Sequence, residues 1–171
     1  SDLVNQIDAS ATDPATAYAA VDAHRQDDRG AYIYRTHDYG RTWTRITRGI
    51  PAGQYVYVVR QDPQQPRLLY AGTNAGVYVS ADDGDHWQPL QLNLPSARVR
   101  DMTVHGDDLV IATQGRALWV LDDVTPLRQM NAAMLRLRAF LYKPATAVRV
   151  RNNNNKDTPL PPEIAAGRNP R

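Results

Sequence analysis

Short apolar runs, each ended by a Gly, Pro or Asp turn, follow one another through most of the chain. In a first unit "TAYAAV" precedes "GAYIYRT" and "TWTRI"; in a second, "YVYVVR", "RLLYAGT", "GVYVS" and "HWQPL" follow in order. In a third, "VRDMTVH", "LVIAT" and "ALWVL" lead into "DDVTPL". Val, Ile, Tyr and Trp dominate these runs, and polar turns cut them too short for helices. "GVYVS" and "ALWVL" are almost continuously apolar, as strands covered on both faces are. The pattern predicts an all-β chain of antiparallel meanders, with four short strands to a unit.

The units repeat. Asp38 and Asp82 lie 44 residues apart, and aligning Thr73 with Thr113 puts Asp82 on Asp122, a period of 40. The first unit is longer because "HRQDDR", His24–Arg29, expands its second hairpin. Four-stranded units at this period are the blades of a β-propeller, whose radial stacking buries both faces of each sheet. A β-sandwich would alternate more cleanly and would not repeat. The boundaries follow: 1–49 for blade 1, 50–97 for blade 2, 98–151 for blade 3 with a closing segment, and 152–171 for an Asn- and Pro-rich linker or tail. Within blade 3, extended stretches at Arg138–Tyr142 and Ala147–Arg151 are the closing candidates, and a short helix is expected around Pro126–Met134 with its proline near the start. Three blades do not close a ring that needs about four to eight. The partners expected are therefore the remaining blades of a longer parent chain or further copies of this one.

Two turns carry the same polar signature. "THDYGRTW" and "SADDGDHW" both read hydroxyl-x-Asp-x-Gly-x-x-Trp. The hydroxyls of Thr36 and Ser80 and the carboxylates of Asp38 and Asp82 are placed to bond amides of their own turn. Gly40 and Gly84 supply a positive φ at the corner. Trp43 and Trp87 are expected to fall back between sheets as apolar plugs. In the third copy only Asp122 survives, with Val120, Val124 and Leu127 in place of the hydroxyl residue, the glycine and the tryptophan.

This pattern resembles the Asp-box, or bacterial neuraminidase repeat, shared by sialidases, xyloglucan-active glycoside hydrolases and sortilin-type ten-bladed receptors. "ATQGRALWVLDDVTPLRQM", "LYKPATAVRVR" and "DTPLPPE" are similar to large bacterial propeller proteins catalogued as sortilin-like or glycosyl-hydrolase-like. The resemblance implies the C-terminal part of an exported propeller, followed in the relatives by a further β-rich domain. It implies little about activity, because the same box serves enzymes and receptors.

Bulk composition agrees with a globular chain: 42% hydrophobic and 22% charged residues, with no cysteine for disulfides or thiolate metal sites. No apolar run approaches a membrane span. The net charge of +2 divides into −5 for residues 1–127 and +7 for 128–171. The basic end lacks aromatic stacking partners, which argues against nucleic acid.

Propeller ligands bind on the face formed by the loops between second and third strands and by the links between blades. That face collects His24, Arg25, Asp28, Arg29, Asn74, Gln114 and Arg116, together with Arg48, Gln54, Arg98 and Arg100 from the links. Arginines there suit bidentate recognition of a carboxylate or sulfate, with Arg116 the leading single candidate. A glycosidase needs two carboxylates about 5–10 Å apart; Asp27 and Asp28 share a loop, yet no acid and base pair stands out. The "DDGD" turn lacks the ligand spacing of a calcium loop, and the four histidines show no metal spacing. The expectation is a non-catalytic glycan- or peptide-binding segment without metal or cofactor. The alternative is part of a sialidase- or xyloglucanase-like hydrolase whose acids lie mostly outside this chain.

Overall fold

A computed structural model describes residues 3–131, 139–144 and 146. The expected tail at 152–171 and the closing candidate at 147–151 lie outside the described residues.

The chain is all-β and forms three antiparallel sheets in chain order. The first holds β1 (Leu3–Ala9), β2 (Ala17–Asp22), β3 (Tyr32–Thr36) and β4 (Thr44–Arg45), hydrogen-bonded in that sequence. The second holds β5 (Val56–Gln61), β6 (Leu69–Thr73), β7 (Val77–Ser80) and β8 (Gln88–Pro89). The third holds β9 (Val99–His105), β10 (Asp108–Thr113) and β11 (Leu118–Leu121). It has three strands among the described residues, not the four expected. After it comes α1 (Thr125–Arg128), a single turn shorter than the helix expected. Residues 139–142, offered as a closing strand, form no strand.

Each sheet begins with its innermost strand, and β5 touches both β1 and β9. Arg60 on β5 ties the three together. Its guanidinium bonds Asp8 of β1 at 3.0 Å, Asp101 of β9 at 2.9 Å and the Met102 carbonyl at 2.7 Å. Three sheets stacked in this way around adjoining inner strands make a partial β-propeller.

Two apolar layers fill the gaps between sheets. Between the first and second lie Tyr18, Ala20, Ile33, Ile46, Val56, Val59, Leu69, Tyr78 and Trp87. Between the second and third lie Val58, Leu68, Tyr70, Val77, Val79, Val99, Met102, Leu109, Ile111 and Val124. The second sheet contributes to both layers, which is why β7 carries no polar alternation: Tyr78 faces one neighbour, Val77 and Val79 the other.

The two repeated turns fold alike. Thr36 Oγ1 accepts from the Gly40 amide at 3.0 Å, and Ser80 Oγ from the Gly84 amide at 2.9 Å. Asp38 Oδ1 accepts from the Thr42 amide and Asp82 Oδ1 from the His86 amide, both at 2.9 Å. Each corner needs two left-handed residues, Tyr39 and Gly40 in one and Asp83 and Gly84 in the other. These bonds hold the Asp38 carboxyl down at about 2, the Thr42 hydroxyl contributing most.

The tryptophans part company. Trp87 is 3% exposed and donates through Nε1 to the Ile46 carbonyl of the first sheet at 2.8 Å. Trp43 is 40% exposed, and its Nε1 turns back to Gly40 of its own corner at 3.1 Å. The plug of each turn seats against the sheet before it, and among the described residues no sheet precedes the first. The expectation that both rings are covered therefore holds for Trp87 and not for Trp43. In the third copy, buried Val124 and half-buried Leu127 pack into the layer between the second and third sheets. There Asp123, not the aligned Asp122, accepts from the amide and hydroxyl of Thr125, while Asp122 is exposed.

Candidate functional site

At the end of the molecule away from the repeated turns, connections from all three sheets enclose a cleft of about 370 Å³ lined by His24, Arg29, Gly53, Tyr55, Asn74 and Arg98. Four of these six are residues the sequence nominates. His24 comes from the β2–β3 connection, where His24–Gln26 forms a 3-10 turn closed by left-handed Asp27. Asn74 comes from the β6–β7 turn, and Gly53 and Arg98 from the links into β5 and β9.

One backbone latch recurs at this end. The Asn74 amide donates to the Tyr55 carbonyl at 3.1 Å, and the Gln114 amide donates to the Arg98 carbonyl at 2.8 Å. Each pins the loop between second and third strands to the entry of its own inner strand. Asn74 adds its side-chain oxygen, which accepts from the Tyr55 amide at 3.1 Å. Gln114 thus positions Arg98 through the main chain without lining the cleft.

The floor is aromatic and covered. The His24 ring stacks on Tyr55 with centroids 4.6 Å apart and planes at 15°, and Tyr55 meets Tyr57 edge to face at 5.3 Å. Arg100 lies over the Tyr57 ring, its Cζ 4.6 Å from the centroid. Burial, reinforced by Tyr55, pushes the Tyr57 hydroxyl up to about 12 against the pull of Arg98 and Arg100. His24 is fixed from below by Asp22, whose carboxylate accepts from the His24 amide at 2.9 Å and meets Nδ1 at 2.6 Å. Burial of Asp22 alone would raise its carboxyl, but these contacts outweigh it and hold the group below the usual carboxylate range.

The remaining nominees lie outside the cleft. Asp28 accepts from the Tyr32 hydroxyl and, at 2.8 Å, from the Gly30 amide, so it braces its own loop. Arg116 is exposed on the β10–β11 turn, and its carbonyl holds the Trp119 indole at 2.7 Å. Arg25 falls in the His24 turn, and its side chain lies outside the described residues. Sequence reasoning missed Asp22, Tyr55 and Tyr57. The signal for the tyrosines was present in "QYVYVV", where alternate aromatics begin an inner strand beside the link that carries Gln54.

The charge balance of the cleft is one-sided. Arg29, Arg98 and neighbouring Arg100 are exposed, and none forms an ion pair among the described residues. The same residues contain no group of three or more metal-ligating side chains.

Comparison with solved structures places the fold. A GH74 enzyme from Niastella koreensis matches with a TM-score of 0.55 at 16% identity over 70% of this chain. A GH74 xyloglucanase from Xanthomonas campestris matches at 0.52 and 17% over 70%. YCF48 bound to D1 peptide matches at 0.50 and 14% over 71%. The chain spans 21%, 22% and 37% of those three proteins respectively. No family model matches, and no curated protein does. What the likeness establishes is the fold: the three sheets are arranged as in a partial β-propeller.

Proposed function

We propose that this chain is a non-catalytic recognition segment of an exported, Asp-box, sortilin-like propeller, and that it binds peptide in the cleft between His24, Tyr55 and Arg98. One observation carries the reading: no carboxylate lines the cleft, while its two arginines, Arg29 and Arg98, form no ion pair among the described residues. Asp22 is buried against His24, and Asp28 is held by Tyr32 and Gly30. A hydrolase needs a carboxylic acid and a carboxylate facing one bond, and this cleft offers neither.

Peptide is favoured over glycan by the state of the rings. Sugar sites present an open aromatic face, but Tyr55 and Tyr57 are 7% and 5% exposed, covered by His24 and Arg100. Among the three structural neighbours given above, one is named for a bound peptide, and two are named as GH74 enzymes. The latter motivate the competing reading, a hydrolase whose acids lie on blades outside this chain. The test is to present the parent protein with xyloglucan oligosaccharides and with a peptide library. Peptide capture without sugar release is the expected result. Turnover abolished by one Asp→Asn change on the cleft face would overturn it. Export is tested separately, by fractionating cells that express the parent protein.

A further inference from the structure

Within that peptide-binding reading, on which this inference rests, we infer that the cleft selects its ligand through a peptide carboxylate gripped by Arg98 and Arg29, with Arg100 reinforcing the field. Arg98 and Arg100 flank buried Val99 and are both exposed at the start of β9, and both act on the Tyr57 hydroxyl. Arg29 reaches the same cleft from the β2–β3 connection of another sheet. Two arginines from two sheets thus line one cleft, with Arg100 beside it over Tyr57, and none of the three forms an ion pair among the described residues. A cleft lined by charge of one sign raises the local concentration of ligands of the opposite sign.

The geometry suits a carboxylate specifically. A guanidinium presents parallel N–H donors that match the two oxygens of a carboxylate. Asn74 and Tyr55 are held by main-chain latches, so the wall opposite the arginines is fixed before the ligand arrives. A cleft of about 370 Å³ accommodates a few residues of extended peptide. His24 cannot serve as the anion that would compete for the arginines, and Asp22 beneath it is sequestered, with a side chain 5% exposed.

The experiment uses the 171-residue chain and three fluorescein-labelled pentapeptides read by anisotropy. One has a free C-terminal carboxylate and no acidic side chain, the second is its C-terminal amide, and the third is an amide with two glutamates. Tighter binding of either carboxylate-bearing peptide than of the plain amide supports the inference, and which one it is identifies the source. Arg98→Gln is expected to weaken that binding by about tenfold and to lower its salt dependence, since hydrogen bonds to charged groups are of that size. Arg116→Gln, remote from the cleft, is expected to leave it unchanged. Equal binding of all three peptides, displaced by Asn74→Ala, would overturn the carboxylate inference and leave peptide recognition standing. Absence of binding by every peptide at millimolar concentration would overturn both. Circular dichroism melts of Arg98→Gln matching the parent chain separate loss of contact from loss of fold.

Discussion

Replacing Trp87 with alanine removes the plug between the first and second sheets, and the same change at Trp43 removes a plug with nothing to fill. An indole buries about 200 Å², worth about 5 kcal/mol at about 25 cal/mol per Å². Trp87 is 3% exposed, so nearly all of that applies, and its loss also strands the Ile46 carbonyl it caps at 2.8 Å. Area sums run high, and measured Trp→Ala costs in cores are about 3–5 kcal/mol; about 4 kcal/mol is expected. Trp43 is 40% exposed and its removal leaves no closed cavity, so about 2 kcal/mol or less is expected. Urea unfolding followed by far-ultraviolet circular dichroism, with m-values compared between variants, gives both costs directly. Equal losses for the two variants, or losses below about 1 kcal/mol for both, would refute the idea that each turn locks onto the preceding sheet.

Other outcomes follow from the same contacts. Gly84→Ala should destabilise far more than Gly40→Ala, since both have positive φ but a Cβ at Gly84 runs into Ile46 Cδ1 while at Gly40 it meets only Trp43 at 3.8 Å; thermal melts rank them. Asp38 is held at about 2 and Asp82 below its ordinary 3.8, so their contribution is present at neutral pH and lost as pH falls through that range. The midpoint of unfolding should therefore drop between about pH 5 and 2, and an Asp38→Asn, Asp82→Asn double variant should show a shallower acid limb. Arg128→Ala should cost about 3 kcal/mol in urea unfolding, because fully buried Asp62 loses the cation bonded to it at 3.0 Å and keeps only neutral donors such as the Gln64 and Gln65 amides.

The strands and turns were legible because their chemistry is local. The hydroxyl, Asp and Gly of "THDYGRTW" and "SADDGDHW" make their bonds within one corner, so the corner is written in eight residues. Burial of Trp43 was not legible, because it depends on a neighbour that the motif does not encode. The third sheet misled for a related reason. Its turn keeps an aspartate, but Asp123 bonds Thr125 two residues on, where Asp38 and Asp82 reach four residues on to Thr42 and His86, and the unit's fourth strand is not found among the described residues.

At the cleft, the loops were identifiable from their place between strands, which put His24, Arg29, Asn74 and Arg98 together. Arg116 was the leading single candidate, yet it is exposed on the β10–β11 turn and does not line the cleft. Tyr55 and Tyr57 looked like ordinary strand aromatics. Their role depends on His24 arriving from another sheet, a contact separated by about thirty residues of chain.

The most direct measurement is a nuclear magnetic resonance titration of the isotope-labelled chain with a carboxylate-bearing peptide. The account predicts that shifted amides cluster at Gly53, Tyr55, Asn74, Arg98 and Gln114, on the end away from Asp38 and Asp82. Shifts gathered instead at the repeated turns, or along β11, would contradict it.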